Sequence, residues 1–315
     1  MRFTAAFFRL VRLPNLLFIA LTQGLFYFCI LLPLVERTGH SPRLTQPYLW
    51  LLMLASVFIA AAGYIINDYF DINIDEVNKP EKNVVDHIIS RRWAMLLHLL
   101  LSSAGLMLSL YVSWKSGSWY IVFVNFLCIG LLFGYSASLK RKLLSGNVLI
   151  SLLTAWVILV LCFTETRPLV FADVPAVSMQ AASKIFRLGV LYAGFAFISS
   201  LIREAIKDME DREGDARYGC RTMPIVWGLN ATKVYVAVWL VVLIAVLVIV
   251  QLYVLQFRWW LPAAYSILLI ILPLVYIFTR LFQAVKTADF RKLSRLIKTV
   301  MLTGILSMVF FYYYL

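Results

Sequence analysis

The chain predicts an all-α fold, a multi-pass transmembrane bundle of about nine helices around a central cavity, and three observations carry that prediction. Hydrophobic residues make up 62% of its 315 residues and charged ones 14%, where a soluble domain carries about 25% charged residues. Apolar stretches of about 20 residues, enough to cross a bilayer, recur from one end to the other. Lysine and arginine concentrate in alternate connecting segments, as the positive-inside bias requires.

The spans begin near Asn15, Tyr48, Trp93, Trp119, Asn147, Ile185, Val234, Trp259 and Leu296. The first follows Arg2, Arg9 and Arg12 and runs from Asn15 to Val35. It is too long for a signal-peptide core and no small-residue cleavage site follows it, so it reads as a retained helix. One set of alternate segments holds Lys79, Lys82, Arg91 and Arg92, then Lys140, Arg141 and Lys142, then the arginines and lysines from Arg203 to Lys233 and from Arg280 to Lys298. The other set holds only Arg37, Arg43, Lys115, Arg167, Lys184, Arg187 and Arg258. That alternation closes with an odd number of spans, placing a cell-membrane protein with its N-terminus in the cytoplasm and the terminal FYYYL outside. The bias and attraction to anionic membrane lipid account for the net charge of +13, so nucleic acid is not needed as a partner. Cys29, Cys128, Cys162 and Cys220 form no CxxC or Cys/His spacing, and His40, His87 and His98 are scattered, which excludes a zinc, haem or disulfide framework.

A single domain over residues 1–315 is expected, with short connections except for three longer loops at roughly 67–92, 203–231 and 280–295. Two of these cytoplasmic cap loops carry matched acidic clusters: Asp68, Asp71 and Asp75 in NDYFDINID, and Asp208, Asp211 and Asp215 in KDMEDREGD. Steps of three and four residues put each set of carboxylates on one helical face. Such a face repels itself unless a multivalent cation neutralises it, so each cluster reads as a metal claw and the loss of one carboxylate is expected to leave folding intact or improved. Hard oxygen donors favour Mg²⁺, which keeps waters and takes substrate phosphates as further ligands. A diphosphate is the substrate class this implies. Acidic loops at a membrane surface are often merely solvated, but the repeated spacing, with Asn67 in front of the first cluster, argues for the claw.

NDYFDINIDEVNKP, followed by REAIKDMEDREGD and GCRTMPIVWG, resembles the UbiA superfamily of intramembrane prenyltransferases, whose hallmark is an NDxxDxxxD segment paired with a second DxxxD segment. The resemblance covers nearly the whole chain and takes in Arg12, Pro14 and Asn15 of RLPN and Tyr135 and Lys140 of YSASLKR. REAIKD and the EGD ending are most similar to the ether-lipid branch, which implies transfer of a geranylgeranyl group to a glyceryl phosphate lipid. One segment departs from the family: where NRPxRPLPSG is usual, Lys79, Lys82, Asn83 and His87 stand in NKPEKNVVDHIIS.

The chemistry also follows from the residues. An allylic diphosphate leaves by ionisation, and the barrier falls when cations neutralise charge on the departing oxygens. Asn67, Asp71 and Asp75 are the expected ligands of one Mg²⁺ and Asp211 and Asp215 of a second, with Asp68 and Asp208 as ligands or their supports. Lys79, Lys140, Arg203 and Lys207 are candidates for the phosphate oxygens, although basic residues here also set topology. The prenyl cation calls for a dry cavity with electron-rich walls, for which Tyr64 and Tyr135 are the candidates. Most other aromatics are lipid-facing anchors. Asn15 is either a cavity residue or polar glue between helices. The reading is therefore a prenyltransferase with a prenyl diphosphate donor and a lipophilic acceptor. Prenylation of an aromatic quinone precursor differs only in the acceptor pocket. A secondary transporter would carry its carboxylates near the bilayer midplane, and a non-catalytic assembly factor has no use for two intact claws.

Overall fold

The computed structural model describes residues 2–78, 85, 88–171 and 176–314, without the side chains of Arg2, Phe3, Ala5, Asp75, Asn78, 167–171 and 176–178. Among the described residues 87% are helical and none forms a strand. Among the described residues a short amphipathic helix, α1 (Arg2–Leu10), precedes nine helices that are long and apolar enough to span a membrane. These are α2 (Leu13–Glu36), α3 (Gln46–Asn78), α4 (Arg91–Ser116), α5 (Tyr120–Ala137), α6 (Ser145–Phe171), α7 (Ala176–Arg217), α8 (Leu229–Leu255), α9 (Trp260–Gln283) and α10 (Thr287–Tyr314). The multi-pass membrane fold expected from the sequence is thus the fold found.

The structure differs from expectation in the longer loops. Residues 67–78 continue α3, 203–217 continue α7 and 287–295 open α10, so both acidic clusters sit on helices. Charge lowers the apolar signal there, but the hydrogen-bonded ladder runs on because no glycine or proline interrupts 67–78 and the only glycine of 203–217, Gly214, lies in the last turn.

Contacts divide the chain into two compact units. The first comprises Met1–Gly24, Val35–Lys140 and Leu159–Phe186. In it α3 packs against α4 and α5. Gly105 of α4 permits the closest approach: a Cβ there would lie 2.8 Å from Ile59 Cγ1 and 3.2 Å from the Ala55 carbonyl oxygen of α3. Ala6, Leu10 and Leu16 bury themselves with Ala61, Ile65 and Ile72, which lays α1 along the end of α3 that carries the acidic residues. Arg12, in the turn between α1 and α2, has a left-handed backbone at φ 53°, a state that costs a side-chain-bearing residue energy and is held here by its surroundings. Gly117, at φ 68°, ends α4 by donating its N–H to the Ser113 carbonyl. Near that end, Lys115 lies over Trp114 at 4.7 Å and Tyr48 meets Tyr111 at 6.4 Å. Tyr48 and Asp71 are on one helix about 35 Å apart at 1.5 Å per residue, so the aromatic group and the acidic cluster occupy opposite ends of the span.

The second unit comprises Leu25–Leu34, Arg141–Ile158 and Arg187–Leu315. Its core gathers Ile202, Ile206 and Met209 of α7, Val236 and Leu240 of α8, Leu274 and Ile277 of α9, and Phe290, Leu293 and Ile297 of α10. Gly304 of α10 admits the Phe195 ring, whose Cε1 would lie 2.3 Å from an added Cβ. Two turns of π-helix, Tyr27–Leu31 and Ile267–Ile271, each precede a proline by two residues, Pro33 and Pro273. At both, the backbone closes i to i−5, from Leu32 to Tyr27 and from Leu272 to Ile267. Proline has no N–H and crowds the carbonyl four residues before it, so widening the turn relieves the clash. The carbonyl left over by Pro273, that of Leu269, accepts the Thr303 hydroxyl at 2.9 Å.

Candidate active site

In the first unit, Asn67, Asp68 and Asp71 occupy the last turns of α3. Asp71 is held on both oxygens: Lys140 Nζ lies 2.6 Å from Oδ1, and Asn67 Nδ2 donates to Oδ2 at 2.9 Å. Lys140 also reaches Asn67 Oδ1 at 3.4 Å, from a short 3₁₀ turn (Leu139–Arg141) that follows α5. The ion pair is shielded, with the Lys140 and Asp71 side chains 9% and 14% exposed. Asp68 takes the Arg12 guanidinium at 2.7 Å, and the same guanidinium stands over the Tyr64 ring at 5.1 Å. Asn15, whose backbone N–H donates to the Arg12 carbonyl at 2.7 Å, and Tyr135, in the last turn of α5, are half-buried. Lys79 and the side chain of Asp75 lie outside the described residues, as do Lys82, Asn83 and His87.

In the second unit, α7 presents Arg203, Lys207, Asp208, Asp211 and Asp215. Asp208 Oδ2 accepts the Asn147 side-chain amide of α6 at 2.8 Å. Asp211 and Asp215 are half-buried, on the turn that leads to Cys220, whose N–H donates to the Asp215 carbonyl at 3.0 Å. One residue on, the Arg221 N–H donates to the Arg141 carbonyl at 2.7 Å. Sequence reasoning named none of three participants found here. Glu204 accepts from Arg203 at 2.8 Å and from Lys207 at 3.4 Å, Asn147 holds Asp208, and Glu210 pairs with Arg291 of α10 at 2.9 Å. Glu204 had a legible signal, since it stands four residues before Asp208 and extends the same face by a turn. Asn147 had none beyond being polar at the start of an apolar span.

Each cluster thus combines carboxylates with amides and fixed cations at the end of a membrane helix. Among the described residues no three carboxylate, imidazole or thiol side chains converge. Carboxylate and amide oxygens are hard donors, which suit Mg²⁺, an ion that keeps water and takes phosphate oxygens in its shell.

Fold and site define a multi-pass helical membrane protein whose acidic residues are gathered at helix ends with lysine and arginine. The model of the UbiA prenyltransferase family matches residues 12–310, and the chain belongs to that family. It is an intramembrane prenyltransferase. A digeranylgeranylglyceryl phosphate synthase of Methanosphaera stadtmanae is 29% identical over 289 residues, 91% of this chain and 94% of the relative. A solved digeranylgeranylglyceryl phosphate synthase has the same fold, with a TM-score of 0.60 and 22% identity over 98% of this chain and 99% of that one. A UbiA homologue of Archaeoglobus fulgidus, solved bound to DMAPP and Mg²⁺, has a TM-score of 0.58 and 16% identity over 96% and 98% of the two chains.

Proposed function

We propose that this chain, acting as one transferase domain over residues 1–315, moves a geranylgeranyl group from its diphosphate to a glyceryl phosphate lipid. The observation that carries the donor half is the Asn67, Asp71, Lys140 cluster, where a shielded carboxylate is locked between an amide and an ammonium. Asp71 and Asp75 hold one Mg²⁺ beside Asn67, and Asp211 and Asp215 hold another, with Asp208 oriented by Asn147. Bound Mg²⁺ supplies charge neutralisation for the leaving diphosphate. The side chains do the rest: Lys140, Arg203, Lys207 and Lys79 bind phosphate oxygens, and Asp68 keeps Arg12 over Tyr64. Tyr64 and Tyr135 present ring faces to the allylic cation, and apolar span residues keep water from it.

The acceptor half rests on the relatives named digeranylgeranylglyceryl phosphate synthase, one of them aligned over nearly its whole length. It is supported by cations in excess of what one diphosphate needs, since Arg212, Arg217 and Arg221 follow Arg203 and Lys207 around the second cluster. The clusters face the cytoplasm in this reading, which the distribution of basic residues supports.

An acceptor series with one labelled donor tests the proposal. Geranylgeranylglyceryl phosphate reacts, its dephosphorylated analogue loses about 10²-fold or more in kcat/KM, and 4-hydroxybenzoate and homogentisate are poor. An aromatic acceptor with the higher kcat/KM overturns the lipid assignment and leaves the transferase standing.

A further inference from the structure

The acidic stripe of α7 runs one turn deeper than its motif. Glu204 shares a face with Asp208, Asp211 and Asp215 at 3.6 residues per turn. Ile202, Ala205, Ile206 and Met209, on the opposite face, are packed into the core of the second unit. Glu204 is 7% exposed, and a carboxylate so enclosed persists only where it is neutralised and hydrogen-bonded. Each of its oxygens serves one cation: Oε1 accepts from Arg203 Nη1 at 2.8 Å and Oε2 from Lys207 Nζ at 3.4 Å.

The two cations are not used up by this contact. One carboxylate faces two positive charges, so Arg203, Glu204 and Lys207 taken by themselves carry a net positive charge, with Asp208 next to Lys207. Arg203 and Lys207 keep 23% and 27% of their side-chain surface exposed. Among the described residues the enclosed Arg203 Nε has no hydrogen-bond partner, so Glu204 does not satisfy the whole guanidinium. Free Arg and Lys side chains are among the most mobile in proteins, and anchoring both on one fixed carboxylate removes that freedom before a substrate arrives.

We infer that Glu204 is a positioning residue, holding Arg203 and Lys207 as a two-pronged fork for the diphosphate beside the second acidic cluster. The inference rests on the diphosphate chemistry proposed above. It separates from plain electrostatics by sign. Replacing Glu204 with glutamine makes the site more positive, so attraction alone tightens an anion, whereas a slackened fork loosens it.

The probe is inorganic pyrophosphate with Mg²⁺, titrated calorimetrically into the full-length protein in detergent, with thermal unfolding and donor kinetics on the same samples. In E204Q, pyrophosphate binds about tenfold more weakly and kcat/KM for the prenyl diphosphate falls about 10- to 100-fold, while Tm and the KM of the acceptor stay near wild type. E204D keeps the charge, withdraws it by one methylene and recovers part of the loss. Equal or tighter pyrophosphate binding by folded E204Q overturns the inference, as does an activity loss that only tracks loss of folded protein. If E204Q does not fold, E204D decides alone: weaker pyrophosphate binding supports the fork and unchanged binding overturns it. A wild-type protein that binds no pyrophosphate overturns the diphosphate reading itself, and the fork with it.

Discussion

Replacing Asp71 with alanine is expected to abolish transfer and to lower stability. From the sequence, removal of one carboxylate relieves repulsion within the claw and leaves folding intact. The contacts of Asp71 reverse that sign, because its charge is already matched by Lys140 at 2.6 Å. D71A strands an ammonium that is 9% exposed and leaves the Asn67 amide without its acceptor. Breaking a fully buried pair costs about 3–5 kcal/mol and an exposed one about 0.2–1 kcal/mol. The residual exposure of the two side chains, 9% and 14%, places D71A toward the buried limit, at about 3 kcal/mol including the lost amide contact. That corresponds to a fall in Tm of about 4–5 °C for a chain of 315 residues. The double variant D71A/K140M removes both partners and regains most of the loss, since an apolar pair of similar volume is often neutral where a lone buried charge is not. Both variants lose at least about 10²-fold in kcat/KM, the scale set by removing one group that neutralises charge in a transition state. The assay is release of diphosphate from labelled donor at limiting Mg²⁺, with Tm measured in detergent without it. Near-wild-type turnover in D71A refutes the metal role, and an unchanged Tm in D71A refutes the energetic reasoning.

Two further outcomes are expected. Cysteines introduced at Lys115 and Lys140, which flank α5, label with an impermeant reagent from opposite sides, in sealed cells for the first and inverted vesicles for the second; labelling of both from one side refutes the orientation. G304A places a methyl group 2.3 Å from Phe195 Cε1 and is expected to cost about 1–3 kcal/mol, read as a lower Tm, and an unchanged Tm would mean that the Phe195 ring turns aside at no cost.

The spacing of acids and amides within one helix was legible in the sequence because it is local. Asn67 and Asp71, four residues apart, are found hydrogen-bonded. The partners that complete each cluster were not legible as contacts, because they come from other helices. Lys140 was named for phosphate and is found on Asp71, 69 positions earlier, and Asn147 reaches Asp208 across 61. Nothing in a hydropathy profile encodes such pairings. The helical extensions of α3, α7 and α10 were read as loops because charge density was taken for solvation, whereas continuity of the backbone ladder is set by the absence of breakers. The spans themselves emerged correctly because burial in lipid leaves helices almost no alternative.

The two π turns have a consequence for how this sequence can change length. Deleting a residue from a regular membrane helix rotates everything beyond it by about 100° and turns a packed face toward lipid. The segments Tyr27–Leu31 and Ile267–Ile271 each already hold one residue more than a regular turn needs. Losing one there restores ordinary winding and leaves the downstream face in phase with its neighbours. These two segments are therefore where this sequence can lose a residue inside a span without re-cutting the interfaces that follow, at the cost of returning Pro33 or Pro273 to a regular turn.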